Sequence, residues 1–353
     1  MIEPIRFAGS VYDGGVDVGR KTAAIVRSTL ERVERRLLGA FGGDHVRMRH
    51  VAHEIARKGE EAFPASDEFL QGLARGTGID YLRLIVLSFS EEVLELGLEA
   101  PRERDRCSTL AVRAAFRWLV GHQEDYKGEY LGSMIVTDLA FTGYPRMVGV
   151  GFPGQLPGNA GMLNEAGVFL SNDALWCAAQ DGFPKQSVQF EACLQVEALT
   201  AALCLMKRRP ALTDHFLIVG TDTALSLEIA PPGHVHGSEA SLLVLGEDAK
   251  ALTHANSVKR LLLKEPDPAP PGSRVRQALL DAIAELDPPQ TFEAMQERMM
   301  AEDGILNRTA QRNWTMQQDS VTLASVIADL GEKRIAIVRY RADGSSHVDE
   351  FRL

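Results

Sequence analysis

Cysteine is scarce in this chain, and what there is lies scattered. Cys107, Cys177, Cys193 and Cys204 are the four, and none forms a CxxC pair. That argues against a disulfide framework or a cysteine zinc site, and a reducing cytoplasm is the compartment it fits best. Long hydrophobic runs are missing as well. No stretch approaches the roughly 18 apolar residues of a membrane-spanning helix. The opening Met1-Ile2-Glu3-Pro4-Ile5-Arg6 has no basic region leading into an apolar one, so neither a membrane anchor nor a secretory signal is expected. Positive charge is in deficit, with 38 Lys and Arg against 48 Asp and Glu for a net charge of -10. Phosphate neutralisation needs clustered cations, so no nucleic-acid partner is expected. There is no internal repeat and no glycine-rich phosphate loop, and no cofactor is called for.

What remains is an ordinary globular composition, 45% hydrophobic and 24% charged over 353 residues. Residues 1–106 read as a helical segment. Val26, Leu30, Val33 and Leu37 keep helical spacing within a helix expected over 21–41. A short helix follows near 51–58, a third begins at Ser66 and stops near Gly76-Thr77-Gly78, and a fourth covers 82–98. Arg27, Arg32, Arg35 and Arg36 interleave with Glu31 and Glu34, which describes a solvated helix face. After Pro101 the texture changes to short β-type runs at 109–112, 116–120, 133–139, 147–152 and 168–172. A long apolar helix over 188–206 follows, then runs at 216–220, 225–230 and 242–245. Pro266 to Gly272 reads as a linker or surface loop. Helices at 275–286 and 292–300 lead to strands at 322–328 and 334–340. Paired strands with grouped helices favour a layered α+β fold over a βαβ series.

The chemistry gathers at Arg102-Glu103-Arg104-Asp105-Arg106-Cys107-Ser108-Thr109, where a polar segment runs into a Cys that opens a strand. A structural Cys more often sits inside an apolar run, as Cys193 and Cys204 do. From this Cys alone the structural reading stays ahead. Farther on, Gly121-His122-Gln123-Glu124-Asp125-Tyr126 follows the run at 116–120. Two antiparallel strands joined by a short connection would return Asp125 beside Cys107 and put a thiol and a carboxylate in one site.

Several segments, in order and spacing, carry a family resemblance. They are Gly9 with Gly15–Gly19, which look like an opening strand and turn, the stretch Phe69-Leu70-Gln71-Gly72-Leu73-Ala74-Arg75-Gly76-Thr77-Gly78-Ile79-Asp80, and Cys107-Ser108-Thr109. Asp125, the stretch Asn159-Ala160-Gly161-Met162-Leu163-Asn164-Glu165-Ala166-Gly167-Val168, Thr253-His254-Ala255-Asn256 and Thr322-Leu323-Ala324-Ser325 complete the set. Together they resemble the acyl-coenzyme A:6-aminopenicillanic acid acyltransferase family of N-terminal nucleophile hydrolases (peptidase C45-like) over nearly the whole length. The resemblance implies a four-layer αββα sandwich over 107–353, with 1–106 as a helical α subunit or propeptide packed against it. It implies self-cleavage between Arg106 and Cys107, after which the new α-amine, with a pKa near 8, can take the thiol proton. Cys107 would attack an amide or thioester carbonyl of a small molecule, Asn256 would donate to the oxyanion, and Asp125 would hold the α-amine or substrate. Ser108, Asn164 and His254 are carried as substrate-binding candidates. If cut, the fragment 1–106 is the natural partner of the rest; self-association is left open.

Three positions depart from the family pattern. Arg106 stands where the family has Gly, Asp319 where some relatives have Arg, and Gln123-Glu124 replaces an Asn and an aromatic. An uncleaved transferase with an internal Cys107 and an inactive binding member of the fold are therefore the alternatives. Plainer readings weigh on the rest. Asn164 and Glu165 suit a hairpin turn, and His254 a buried structural donor. His234-Val235-His236 lacks a third metal ligand, His50 and His53 read as a surface pair, and Lys207-Arg208-Arg209 suits a helix C-terminus. Trp118 and Trp176 read first as packing.

Overall fold

The computed structural model describes residues 1–98, 107–175, 182–230, 232–246, 249–267, 269, 271–301 and 320–353. In chain order, strand β1 (Ile5–Gly9) precedes helices α1 (Val11–Ala40), α2 (His45–Ala62), α3 (Pro64–Thr77), α4 (Tyr81–Ser88) and α5 (Ser90–Leu98). Strands β2 (Ser108–Ala114), β3 (Arg117–Lys127), β4 (Ile135–Phe141), β5 (Met147–Gly151), β6 (Met162–Asn164) and β7 (Phe169–Ala174) lead to helices α6 (Lys185–Cys193) and α7 (Ala198–Arg208). Strands β8 (Asp214–Val219), β9 (Ala224–Ile229), β10 (Ala240–Leu245) and β11 (Ala251–His254) follow, then helices α8 (Pro271–Leu286) and α9 (Phe292–Met300). Strands β12 (Ser320–Asp329), β13 (Arg334–Tyr340) and β14 (Ser346–Arg352) close the chain.

Two sheets form among these residues, an eight-stranded one ordered β1-β4-β5-β6-β7-β8-β9-β10 and a six-stranded one ordered β11-β2-β3-β12-β13-β14. Their apolar faces define the layers. One core joins helices α1 to α7 to the larger sheet, as Leu30, Phe69 and Leu205 meet Leu139, Phe216 and Leu227. A second lies between the sheets, around Trp118, Val120, Val148, Phe169 and Val326. A third joins the smaller sheet to α8 and α9 through Leu119 and Ile327 against Leu280, Met295 and Met299. The protein is therefore a four-layer αββα sandwich, the α+β arrangement that the strand pattern implied. No described helix is long and apolar enough to cross a membrane.

The N-terminal part departs from a purely helical reading. Strand β1 pairs parallel with β4, Ile5 opposite Thr137, and so belongs to the larger sheet. Helix α1 then starts at Val11, capped by the Ser10 hydroxyl accepting from the Asp13 N–H at 3.1 Å, well before the expected residue 21. Gly15 and Gly19 are thus helical rather than part of a turn, and they serve packing. A Cβ on Gly15 would stand 2.2 Å from the Phe69 carbonyl oxygen, and one on Gly72 2.1 Å from that of Tyr12. Helices α1 and α3 meet backbone to backbone there.

The single long helix expected over 188–206 is broken into α6 and α7. The Asn164 side chain ends α6, its amide donating to the carbonyls of Cys193 at 3.0 Å and Gln195 at 2.8 Å. A helix end whose carbonyls are satisfied from outside need not continue.

The hairpin of β2 and β3 positions the chemistry. Its turn uses Ala115 in the left-handed region (φ 55°). Ser108 pairs with Gln123 and Thr109 with His122. Strand β3 runs on to Lys127, so His122 to Asp125 lie within it rather than beyond it. Side chains alternate along a strand. His122 and Glu124 accordingly face the space between the sheets, and the amide of Gln123 donates to the Met299 carbonyl of α9 on the other side.

Candidate active site

Cys107 precedes β2 with its side chain buried, and its thiol donates to Glu124 Oε2 at 3.6 Å. The antiparallel register explains the contact. Ser108 opposite Gln123 places Cys107 opposite Glu124, with Asp125 one residue farther. Glu124 also lines a narrow cleft that is partly open to solvent. The cleft's walls include Tyr126 of β3, Thr29 and Val33 of α1, Glu91 of α5 and Lys185 of α6. The N-terminal helices thus build one side of a cleft that reaches Glu124.

The fixed point of the site is Arg276 of α8, a residue the sequence reading passed over. Its guanidinium is buried and donates to the Cys107 carbonyl at 2.5 Å, to Ser108 Oγ at 2.7 Å and to Asn256 Oδ1 at 2.6 Å. Burial pushes it below its ordinary value, against the charges of Asp125, Cys107 and Asp173, which favour the cation. One fork therefore ties together three of the residues singled out in the sequence. A signal existed: the buried stripe of α8 is Gly272, Ser273, Arg276 and Leu280, with an arginine where an apolar residue belongs.

The remaining candidates separate. Asp125 is buried and accepts from Thr322 Oγ1 at 2.6 Å, across the β3–β12 pair where Thr322 stands opposite it. Asn256 donates its side-chain amide to the Ala174 carbonyl at 2.9 Å. Asn164 does not line the cleft; besides ending α6 it accepts from the Val168 N–H at 3.0 Å. Arg106, Asp319, Trp176 and Cys177 lie outside the described residues. Trp118 is packed between the sheets, and Arg208 ends α7 with its guanidinium 5.5 Å from the Phe63 ring centroid.

His254 belongs to a buried polar layer between the sheets, not to the cleft. Its Nε2 lies 3.1 Å from Glu228 Oε1, and its ring stacks on His215 at 3.5 Å with 9° between planes. His215 Nδ1 lies 2.8 Å from Asp173 Oδ2, and Thr109 Oγ1 donates to Asp173 Oδ1 at 3.0 Å. Burial pushes Asp173 well above the usual carboxylate range, and pushes His215 well below and His254 below the usual imidazole value. Burial would raise Glu228 too. The hydrogen bond and charge of His254, with the Arg260 charge and a backbone N–H, win and hold it at about 2. Asp173, His215 and His254 also bring three ligand-type atoms close together. Ring lone pairs lie in the ring plane, and two nearly parallel rings cannot aim them at one ion, so this layer is a hydrogen-bonded network.

No family model matches the chain, and no curated protein does. Among solved structures, a point mutant of conjugated bile acid hydrolase from Clostridium perfringens is similar at 13% identity and a TM-score of 0.44, over 70% of this chain and 92% of that one. A second point variant of the same hydrolase is similar at 14% identity with the same TM-score and coverage. Likeness at this level says nothing of what this chain acts on.

Proposed function

We propose that the chain is a cysteine-nucleophile enzyme of the N-terminal nucleophile type, an amidohydrolase or acyltransferase working through an acyl-enzyme on Cys107. The observation that carries this reading is the thiol–carboxylate pair of Cys107 and Glu124, with the same carboxylate on the wall of a cleft. Glu124 accepts the thiol proton. The sulfur attacks the carbonyl carbon of an amide or thioester, and collapse of the adduct expels the amine or thiol, which leaves with the proton from Glu124. Water or an amine then attacks the enzyme thioester, and the carbon–sulfur bond breaks. Arg276 adds a cation beside the sulfur, the setting in which a thiol is activated. Asn256, held by Arg276, is the proposed oxyanion donor, and Asp125 the acidic partner of the Arg276 charge. A cut between Arg106 and Cys107 would supply an α-amine as a second base.

Mass spectrometry tests both halves. Purified protein incubated with a panel of acyl thioesters and acyl amides should gain one acyl group, mapped to Cys107, and Cys107→Ala should neither gain it nor turn over. Iodoacetamide should label Cys107 well ahead of Cys193 and Cys204, because burial raises both of those thiols, Cys204 to about 11. Equal labelling of these three, or turnover surviving Cys107→Ala, would sink the proposal. Self-cleavage is read from the same spectra as two species split at the 106/107 bond.

A further inference from the structure

His122 takes no part in the chemistry above, yet it is fully buried and its Nε2 has no hydrogen-bond partner among the described residues. That nitrogen lies 3.5 Å from Glu124 Oε2, which is itself 3.6 Å from Cys107 Sγ, and the three atoms all fall within 4.8 Å of one another. They are a nitrogen, an oxygen and a sulfur, aligned by the register of β2 and β3 on one face of the smaller sheet. We propose that Cys107, His122 and Glu124 form a site for a thiophilic divalent cation, zinc by its chemistry, and that occupancy silences the nucleophile.

Two of the three spacings, nitrogen to oxygen at 3.5 Å and oxygen to sulfur at 3.6 Å, fit the ion. Zinc binds sulfur at about 2.3 Å and nitrogen or oxygen at about 2.0 to 2.2 Å, so a tetrahedral site holds such atoms about 3.3 to 3.7 Å apart. The next layer fits too. Thr109 Oγ1 donates to Asp173, so toward His122 Nδ1, 2.9 Å away, it acts as acceptor. The imidazole proton is then on Nδ1 and the Nε2 lone pair faces Glu124 and Cys107. A metal-bound histidine needs this same orientation and tautomer, with the far nitrogen donating to a polar group. The charges also close, since a thiolate, a carboxylate and a neutral imidazole neutralise a dication. The thiol proton passes to solvent on binding, and affinity rises with pH. Three protein ligands leave a fourth position for water or a small anion. A sulfur bonded to the ion cannot attack a carbonyl, so the inhibitory half rests on the reading of Cys107 as nucleophile, whereas the site itself does not.

Cobalt is the probe, because a thiolate-to-cobalt charge-transfer band reports ligation directly. Full-length protein, stripped with chelator, should develop this band at one equivalent of Co²⁺, and Zn²⁺ should abolish it. Affinity for Zn²⁺, measured by competition with a chromophoric chelator, should fall at least about 100-fold in His122→Ala and in Glu124→Gln, and about 10- to 100-fold in Thr109→Val. Circular dichroism checks that each variant is folded, and the unaltered protein carries the test alone if one is not. No thiolate band, or an affinity that none of the folded variants changes, overturns the site. Acylation of Cys107 in chelated protein is scored separately. A protein that binds cobalt but never acylates keeps the site and loses the enzyme, and the reverse result does the opposite. Acylation unaffected by one equivalent of bound Zn²⁺ overturns the silencing.

Discussion

Arg276 concentrates the site's electrostatics in one side chain. Its planar fork meets Cys107 O, Ser108 Oγ and Asn256 Oδ1 at once, which a lysine ammonium of similar length cannot reproduce. Arg276→Lys should therefore fold and keep the charge, yet slow alkylation of Cys107 by about tenfold or more at neutral pH, because the Cys107 backbone and the Asn256 amide are no longer held. Arg276→Met should be worse. It leaves buried acceptors without their donor and costs about 3 to 5 kcal/mol of stability in urea titrations. Alkylation at the unaltered rate in Arg276→Lys would remove the arginine from the site. At this scale the sequence was half legible. Cys107 stood out because a polar segment ran into it. Arg276 hid inside a helix, because periodicity alone does not say which charge lies on the inner stripe. His122 and Glu124 were missed because the strand was ended at Val120, and a residue assigned to a loop has no face. Asn164 and His254 stand out by motif position alone; one ends a helix and the other stacks on a histidine.

Among the elements, the pairing of α1 with α3 depends on what their glycines lack. Gly15 and Gly19 lie four apart on α1, as do Gly72 and Gly76 on α3, and each would drive a Cβ into the partner's backbone, at 2.2, 2.6, 2.1 and 2.2 Å respectively. Backbone cannot swing aside as a flexible side chain can. Gly72→Ala should cost about 3 kcal/mol or more in denaturant unfolding. Gly39→Ala, also on α1 but with nothing within 4 Å of a new Cβ, should be neutral or stabilise by up to about 1 kcal/mol. If the two variants behave alike, the helices do not pack as described. These glycines carried the family resemblance, but sequence spacing alone does not distinguish a turn from a close helix crossing. The strands were read well where β-branched runs were long. β6, β11 and β14 went unread, being short or mixed in polarity, and pairing rather than composition makes them strands.

For the molecule as a whole, the N-terminal helices are tied to the later part of the helical layer through a buried acid. Glu92 of α5 accepts the Lys185 N–H at the start of α6 at 2.8 Å. Burial raises its carboxyl to about 7, with the nearby Glu91 charge adding to the rise and Lys185 opposing it. A raised carboxylate pKa means that the native state holds the proton longer than the unfolded chain does. Its contribution to stability is complete below about pH 4.5 and is lost as pH climbs to about 7. Glu92→Gln keeps the carbonyl acceptor and removes the charge. It should leave stability unchanged near pH 4 and raise it by about 3 kcal/mol near pH 8. Parallel melting curves for the two proteins across that range would mean that Glu92 titrates normally. Glu228 works in the opposite sense, stabilising above about pH 4.5 and losing its contribution as pH falls through about 2. The layered architecture was legible from the grouping of strands and helices. The contribution of β1 to the larger sheet was not, because a parallel partner so far along the chain leaves no local trace.

That first strand decides what a nick ahead of Cys107 would do. β1 is the outer rail of the larger sheet, zipped to β4 from Ile5 to Gly9, and the helices behind it share an apolar core with the sheet face. Severing the covalent link there would free almost nothing. The upstream piece would still be stitched in by a ladder of backbone hydrogen bonds and glued by its own greasy side, and its departure would strip β4 to a raw margin open to any passing strand. The two chains would therefore travel as one particle, with the older piece still roofing the chamber in which the younger one works.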